Sequence, residues 1–408
     1  MKCRHCHADV SLLFLDLGTA PPSNAYLSEE QLRSPEKWYP LRVFTCTRCW
    51  LVQTEDYAHH AELFDSEYAY FSSFSRSWLR HAETYVGEMI QRFDLGKSSH
   101  VVEVASNDGY LLRYVQARGI PCLGIEPTAS TAQAARELGI EVREEFFGVA
   151  LAQKLVAEGK AADLTAANNV LAHVPDINDF VAGFARLLKP QGVATFEFPH
   201  LLRLVDQCQF DTVYHEHFSY LSLTAVRTIF AKNGLAIFDV QELDTHGGSL
   251  RVFAQRADQG RHEVTAAVQR VLDLERTVGV ASERYYAGFQ TRANRIKDNL
   301  LLFLIEAQRQ GRSVGAYGAA AKGNTLLNYA GVRSSLLPWV VDRNPAKQDK
   351  YLPGSRIPIV SEDHLLRARP EYVLILPWNL RTEIMEQLSY IRSWGGKFVC
   401  AIPDLEVQ

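Results

Sequence analysis

Residues 101–112 read VVEVASNDGYLL, an apolar run that ends in small and polar residues. A short apolar run followed by a glycine-containing turn is typical of a buried strand that leads into a helix. In an open parallel sheet, ligands bind at this junction, beyond the carboxyl ends of the strands. Glu103, Asn107, Asp108 and Gly109 lie there. A single glycine turn is also compatible with an ordinary strand-to-helix connection, so the neighbouring strand ends decide the interpretation.

Two further strand ends supply polar side chains suited to a nucleotide-like ligand. The run CLGIEP ends in Glu126 and Pro127, and a carboxylate at that place can accept hydrogen bonds from both ribose hydroxyls. The stretch ANNVLAHVP adds Asn168 and Asn169, whose amides can fix a polar ligand. Together the three strand ends predict a pocket for an adenosine-containing cofactor.

Apolar runs of strand length recur through the middle of the chain, and stretches of helical periodicity separate them. The strands predicted in this way are residues 100–106, 122–127, 141–146, 163–170, 192–198 and 245–256. A helical pattern from Ser75 to Phe93 precedes the first of them. Alternation of strands and helices predicts a doubly wound α/β sheet.

The remainder of the chain predicts two flanking units. Residues 264–310 have the composition of long helices, and beyond Arg312 the strand, turn and helix pattern returns in a second, smaller α/β unit. We therefore divide the chain into a cysteine-containing lobe at 1–66, a cofactor-binding core at 67–255, and a helical connector with a second Rossmann-like domain at 256–408.

Four cysteines form two pairs, Cys3 with Cys6 and Cys46 with Cys49. Two intervening residues let one turn present both thiolates of a pair to the same tetrahedral ion, so the pairs predict a structural zinc whose coordination shell is closed. Redox-active cysteines are the alternative. Cys122, Cys208 and Cys400 stand singly in apolar stretches and are expected in the core.

Composition excludes several classes of protein. The 408-residue chain has a net charge of -4 and a pI near 6.4, which lacks the basic excess of a nucleic-acid binder. No apolar run is long enough to span a bilayer. Single thiols and the lack of an apolar signal segment predict a cytoplasmic location, and we expect a monomer.

Residues 214–218 read YHEHF and concentrate groups that transfer protons near neutral pH. In an extended segment His215 and His217 would share one face and Glu216 would take the other, whereas a turn would bring them together. The sequence leaves both geometries open. The HExxH spacing of common zinc catalysts is absent, so we expect no second metal.

The motifs, taken in order, resemble those of the class I S-adenosylmethionine-dependent sugar C-methyltransferases, which act on nucleoside-diphosphate 4-keto-deoxysugars. The resemblance spans almost the whole chain and rests on the double cysteine pair, YAYFSSFS, EVASNDG, GIEPT, ANNVLAHVP, YHEHF, HGG and YGAAAKGNT. One departure is Ala105, which stands where the family pattern has glycine. Alanine still fits a turn of small residues.

The resemblance implies roles for several residues. It implies that His217 is the base, that Glu216 orients it, and that Tyr214, His173 and Tyr68 complete the catalytic cluster. Purely structural roles are the alternatives. His215 and His217 could form a pair on a surface strand, His173 could cap a helix, and Tyr68 could take part in aromatic packing between lobes. For the cofactor the resemblance implies contacts from Tyr70, Phe71, Ser72, Glu103, Ala105, Asn107, Gly109, Glu126, Pro127 and Asn168.

The C-terminal motif GAYGAAAKGNT, residues 315–325, has the small residues that allow backbone to approach a diphosphate at a helix start. It lacks the full GxGxxG fingerprint, so we do not predict a separate NAD site. The resemblance implies that this lobe holds the nucleotide of the substrate through Lys322, Asn324 and Trp378.

The implied reaction is methylation of carbon 3 of a nucleoside-diphosphate 4-keto-6-deoxysugar. The alternatives are O- or N-methylation of another small molecule, or a non-catalytic zinc-knuckle binding protein.

Overall fold

The computed structural model describes residues 1–57 and 71–408. In chain order the strands are β1 Leu12–Ala20, β2 Tyr39–Thr45, β3 Val52–Thr54, β4 Val101–Val104, β5 Cys122–Ile125, β6 Val142–Arg143, β7 Ala162–Asn168, β8 Leu188–Pro199, β9 Ser219–Tyr220, β10 Leu235–Leu243, β11 Ser249–Arg256, β12 Val314–Tyr317, β13 Val340–Val341, β14 Ile359–Val360, β15 Tyr372–Ile375, β16 Lys397–Cys400 and β17 Glu406–Val407.

The α-helices are α1 Arg76–Phe93, α2 Leu112–Ala117, α3 Ala129–Glu137, α4 Val149–Ala157, α5 Ile177–Leu187, α6 Leu201–Asp206, α7 Leu223–Lys232, α8 Ala266–Val278, α9 Glu283–Tyr286, α10 Phe289–Arg309, α11 Ala321–Tyr329, α12 Glu362–Ala368 and α13 Arg381–Gln387. No helix within the described ranges is long and apolar enough to cross a membrane.

The central sheet has the strand order β10-β11-β8-β7-β4-β5-β6. The five strands from β8 to β6 run parallel, and β11 and β10 are antiparallel additions at one edge. The chain passes from β4 outward to β5 and β6 and then returns to the other side of β4 as β7. This reversal opens a crevice at the carboxyl ends of β4 and β7, where α/β sheets bind ligands. The predicted doubly wound fold is confirmed.

Most of the predicted strands are shorter than the sequence indicated, and the difference is largest at 141–146 and 245–256. The expected strand 141–146 is paired only at Val142–Arg143, and the three residues that follow, Glu144, Glu145 and Phe146, are all exposed. The expected strand 245–256 begins at Ser249. Gly247 and Gly248 have φ of 85° and 111°, a backbone conformation that no strand adopts.

Helix α1 begins and ends where its sequence predicts. The Ser75 side chain caps the helix by accepting a hydrogen bond from the Trp78 amide, and Asp94 ends it in the left-handed conformation. Tyr85 and Met89 on the apolar face are buried against the central sheet. The helix therefore holds the segment that precedes it, residues 71–75, beside the carboxyl end of β4.

The N-terminal lobe is an antiparallel sheet of order β1-β2-β3-β9. Its last strand, Ser219–Tyr220, comes from the middle of the chain and directly follows the YHEHF motif. Pairing Val52 with Tyr220 therefore fixes the motif against the cysteine-containing lobe.

The C-terminal sheet has the order β14-β13-β12-β15-β16-β17, parallel except for β17. Helix α10 links it to the other two units, since Gln290 accepts a hydrogen bond from the Asp16 amide and Arg292 donates to the Val205 carbonyl. Phe14 of β1 stacks on Phe289 at 4.5 Å between ring centroids. One buried apolar cluster thus includes residues of all three units.

Candidate active site

The two cysteine pairs occupy turns of the same geometry. In each, the amide of the residue after the second cysteine bonds back to the first cysteine's carbonyl, at 3.0 Å for His7 to Cys3 and 2.8 Å for Trp50 to Cys46. His7 and Trp50 are also both left-handed, with φ of 59° and 60°. The turns therefore aim both pairs of thiols at a common point.

The four thiols fit a tetrahedral zinc ion. Their Sγ atoms all lie within 4.8 Å of one another, and the pairs Cys3–Cys49 and Cys6–Cys46 are 3.5 Å apart. Sulfurs bound about 2.3 Å from zinc would be separated by roughly 3.8 Å. His5 is not needed as a ligand, because its Nδ1 pairs with Asn178 Oδ1 at 2.8 Å.

The turn after β4 contains three residues with positive φ, Ala105 at 58°, Asn107 at 49° and Gly109 at 77°. A β-carbon at position 109 would lie 2.5 Å from Ile140 Cδ1, so only glycine fits there. The backbone therefore coils tightly beyond β4. Ala105 itself adopts the left-handed conformation, so alanine is compatible with this turn.

Glu126, at the end of β5, shapes this turn from the side. Its two carboxylate oxygens accept hydrogen bonds from the backbone N–H groups of Asn107 and Thr128, both at 2.9 Å. Pro127 stands between Glu126 and Thr128 in the sequence. Burial raises the pKa of Glu126 despite these bonds. The carboxylate retains further lone-pair sites for a ligand hydroxyl.

Residues 71–74 lie across the same turn. The Ser72 amide donates to Asn107 Oδ1 at 2.9 Å and the Ser73 amide to Asp108 Oδ2 at 3.1 Å, while the Phe71 ring contacts Phe74. The predicted cofactor contacts Phe71 and Ser72 are therefore next to the turn. Tyr68 and Tyr70 lie outside the described residues.

Buried polar groups gather in the crevice. The Glu103 carboxyl group and the Asn168 amide lie beside the Tyr110 hydroxyl, and Oδ1 of Asp108 has no hydrogen-bond partner among residues 1–57 and 71–408. Burial raises the pKa of Glu103 well above its usual range. Because buried polar groups are normally hydrogen-bonded, these atoms fit a polar ligand in the crevice.

The YHEHF motif forms a tight turn in which the His217 amide donates to the Tyr214 carbonyl at 2.9 Å. The turn separates the two histidines. His215 points to the N-terminal lobe, with Nε2 3.2 Å from the Pro40 carbonyl, whereas the His217 ring lies 4.0 Å from Tyr214 and 4.6 Å from His173. The structure thus shows a turn and not an extended segment, but the turn does not bring the two histidines together as the second alternative expected.

The hydrogen bond of His217 fixes its tautomer. Nδ1 lies 2.8 Å from the Thr212 carbonyl, which can only accept, so Nδ1 carries the proton and Nε2 the lone pair. Burial, and next the proximity of His173, lower the pKa of His217 well below 6.5. Burial likewise lowers the pKa of His173 to about 4. A half-buried, neutral imidazole with its lone pair on Nε2 is suited to accept a proton.

The N-terminal lobe also reaches this cluster. Asn24 donates to Glu216 Oε1 at 2.7 Å, and the Tyr26 hydroxyl donates to the Ala319 carbonyl of the C-terminal unit at 2.6 Å. Asn324 is buried and donates to the Ser23 carbonyl at 2.8 Å. The segment 21–26 is therefore held between the YHEHF turn and the start of α11.

The C-terminal unit meets the cluster through Asp211. This buried carboxylate accepts a hydrogen bond from the Trp378 indole at 2.8 Å, and the Lys322 ammonium lies 4.7 Å from the Trp378 ring. Burial raises the pKa of Asp211 to about 6, against the opposing charge of Lys322. The carbonyl of Thr212, the next residue, holds His217. Asp211 therefore connects Trp378 of the C-terminal unit to the segment that positions His217.

Three residues of this region were not among the predicted site residues: Asn24, Asp211 and His246. No sequence motif near Asn24 or Asp211 marks them as site residues. Asn24 contacts Glu216, which is 192 positions away in the sequence, and Asp211 contacts Trp378, which is 167 positions away. His246 belongs to the HGG motif that contributed to the resemblance, so the motif could have identified it.

Three family models match the chain. A model described as "Putative zinc binding domain" matches residues 3–64, one described as "Methyltransferase domain" matches residues 78–240, and one described as "C-methyltransferase C-terminal domain" matches residues 244–403.

The chain is also 34% identical to the C-methyltransferase NovU of Streptomyces niveus over 406 residues, which cover 100% of this chain and 96% of that protein.

Among solved structures, magnesium protoporphyrin IX methyltransferase of Synechocystis with bound S-adenosylmethionine is similar with 16% identity, a TM-score of 0.34, and coverage of 44% of this chain and 79% of that one. An S-adenosylmethionine-dependent methyltransferase of Clostridium acetobutylicum is similar with 10% identity, a TM-score of 0.36, and coverage of 44% and 92%.

Proposed function

This chain belongs to the family of S-adenosylmethionine-dependent C-methyltransferases with a zinc-binding N-terminal lobe, and from that premise we propose that it methylates carbon 3 of a nucleoside-diphosphate 4-keto-6-deoxysugar. The observation that carries the proposal is His217, a neutral imidazole with its lone pair on Nε2, whose ring contacts His173 just beyond β7.

A carbon acceptor requires such a base. A ring carbon beside a ketone becomes nucleophilic only when its proton is removed and the charge moves to the carbonyl oxygen. His217 Nε2 takes this proton, and the bond to the Thr212 carbonyl keeps the ring in the correct orientation and tautomer. S-adenosylmethionine, when bound, supplies the electrophilic methyl group.

Glu216 stabilises the catalytic turn from its other side. It is buried, and its bond from Asn24 keeps the carboxylate directed away from solvent. We assign Glu216 the role of holding in place the turn that carries His217. His173 packs edge-on against His217 and limits the rotation of the ring.

The nucleotide part of the substrate is assigned to the C-terminal unit. Lys322 supplies a positive charge at the start of α11, where backbone N–H groups also favour phosphate. Trp378 offers an aromatic face beside that charge. Asp211 accepts a hydrogen bond from Trp378 and directly precedes Thr212, whose carbonyl holds His217, so a nucleotide held here positions the sugar next to His217.

The cofactor contacts are assigned to the crevice beyond β4. We assign Glu126 to the ribose hydroxyls, and the buried polar groups of Glu103 and Asn168 to the polar end of the cofactor. The full set proposed is Tyr70, Phe71, Ser72, Glu103, Ala105, Asn107, Gly109, Glu126, Pro127 and Asn168.

The test is methyl transfer with a carbon-13-labelled cofactor to thymidine-diphospho- and uridine-diphospho-4-keto-6-deoxyglucose, followed by carbon NMR of the product. The expected result is a new C–C bond at carbon 3. A methyl group at carbon 5, which flanks the same ketone, would correct the position but preserve the mechanism. A methyl group on oxygen, or no transfer to either sugar, would overturn the proposal.

A further inference from the structure

We propose that His246 donates a hydrogen bond to the ketone oxygen of the sugar while His217 removes the neighbouring proton, a role that rests on the keto-sugar methylation proposed above. His246 lies in the 3-10 turn Thr245–Gly247 between β10 and β11. It is half-buried, and nothing in the reaction as described so far uses it.

The backbone at His246 is strained in a way typical of functional sites. His246 has φ of 54°, and its partner Asn169, just beyond β7, also has φ of 54°. A non-glycine residue in the left-handed region is uncommon, and such strain persists where the surrounding structure imposes it. The side chains of these two strained residues, His246 before β11 and Asn169 after β7, are in contact.

The contact with Asn169 determines which nitrogen of His246 carries the proton. The Asn169 amide nitrogen lies 3.2 Å from His246 Nε2. An amide nitrogen can only donate, so Nε2 accepts and the ring proton is on Nδ1. Burial, and next the charge of Lys322, lower the pKa of His246 to about 4, so the ring is neutral near pH 7. A neutral imidazole with an Nδ1–H is a hydrogen-bond donor.

The position of His246 joins the two clefts. On the cofactor side its ring lies 5.2 Å from that of Trp78 in α1. On the other side Gly247 packs so closely on Trp378 that a β-carbon at position 247 would lie 2.4 Å from the indole. His246 and Lys322 both lie close enough to His217 that a positive charge on either lowers the pKa of His217. A sugar placed between Trp378 and the cofactor crevice therefore has His217 and His246 as neighbours.

The two histidines then have complementary roles. As the C–H bond beside the ketone breaks, its proton passes to His217 Nε2 and its electron pair forms a C=C bond. The carbonyl π pair moves to oxygen, where the Nδ1–H of His246 stabilises the developing charge. S-adenosylmethionine would supply the methyl group: the electron pair of the C=C bond would form the new C–C bond, the S–CH3 bond would break with its electron pair left on sulfur to give S-adenosylhomocysteine, and a lone pair of the enolate oxygen would restore the carbonyl.

The test compares His246→Asn with His246→Asp. Both residues tolerate the left-handed backbone and have the same size, but only asparagine offers an N–H donor. The measurement is exchange of solvent deuterium into thymidine-diphospho-4-keto-6-deoxyglucose without cofactor, which reports proton removal alone. We expect the order wild type, then Asn, then Asp, with the aspartate slower than the asparagine on the order of 10²-fold.

Equal exchange rates for the two variants, whether high or low, would overturn this role of His246. Binding of S-adenosylhomocysteine within about threefold of wild type, measured by calorimetry, serves as the control for folding. Failure of the wild-type protein to exchange deuterium would instead count against the proposed function itself, so the two failures are distinguishable.

Discussion

At the scale of single residues, the site depends on how one short turn separates two histidines of identical chemistry. His215 and His217 are two positions apart, yet one contacts the Pro40 carbonyl of the N-terminal lobe and the other faces Tyr214 and His173. The bond from Nδ1 to the Thr212 carbonyl distinguishes them further, because it leaves the lone pair of His217 on Nε2.

The depressed pKa of His217 gives a pH dependence for deuterium exchange. A base must be neutral to accept a proton, and burial lowers the pKa of His217 well below 6.5, so the neutral form persists into the acid range. We expect a constant exchange rate above pH 6.5 and an acid limb whose midpoint lies below 6.5. A midpoint above 6.5 would show that the base is a different group.

The control for this profile is Asp211→Asn, because the pKa of Asp211 is raised to about 6 and its titration would fall in the same range. The variant removes that carboxyl but keeps an oxygen for the Trp378 indole. Retention of the acid limb assigns the limb to His217, and its disappearance assigns it to Asp211.

At the scale of elements, the turn after β4 shows how backbone conformation creates a pocket. Three left-handed residues within five positions coil the chain beyond the strand, and Ser72 and Ser73 hold the coil from outside. Glycine is required at only one of them, Gly109, where Ile140 leaves no room for a β-carbon.

Gly109→Ala tests this turn. We expect a loss of about 1–3 kcal/mol in the free energy of unfolding and weaker binding of S-adenosylhomocysteine, because the new methyl group is strained in φ and clashes with Ile140. Gly87→Ala is the matched control: it lies within α1 with open space around it, and should stabilise by about 0.5–1 kcal/mol. Equal effects of the two changes on calorimetric unfolding would contradict this account.

The segment 21–26 carries a second element-scale prediction. Asn24→Ala removes a hydrogen bond to the buried Glu216 carboxylate, a type of bond worth about 1.5–3 kcal/mol, so the exchange rate should fall about tenfold to a hundredfold. Ser23→Ala is the control, because its hydroxyl makes only a 3.5 Å contact with Thr325. Comparable losses for both variants would mean that the segment acts only as packing.

Much of this arrangement is local and could be read from the sequence. The clustering of the two cysteine pairs, strand β4 and the start of α1 at Ser75 were predicted from residues close together in the sequence. The structure confirms all three predictions. Contacts across distant positions could not be read in this way. Asn24 meets Glu216, and Asp211 meets Trp378, only because three units of the fold pack around one turn.

At the scale of the whole molecule, the three units are not independent modules. Strand β9 follows the catalytic turn but completes the N-terminal sheet, and helix α10 bonds to both β1 and the end of α6. Destabilising the metal-containing lobe should therefore disturb a reaction that takes place some distance from the metal.

Removal of zinc tests that coupling. A chelator, or Cys3→Ser, should lower the midpoint of thermal unfolding and abolish deuterium exchange, because structural zinc contributes directly to folding stability. Cys122→Ser removes a thiol outside the metal cluster and should change neither. Metal analysis should find zinc in the Cys122 variant but little in the Cys3 variant. Full exchange activity in zinc-free protein would contradict the coupling.

The central claim is that His217 removes a proton from a carbon beside a ketone. The most direct measurement is proton NMR of thymidine-diphospho-4-keto-6-deoxyglucose in deuterium oxide with enzyme and without cofactor. We expect the wild-type protein and His215→Gln to exchange a ring proton next to the ketone, and His217→Gln to be slower by on the order of 10²–10⁴-fold. Exchange by the His217 variant at the wild-type rate would contradict the account.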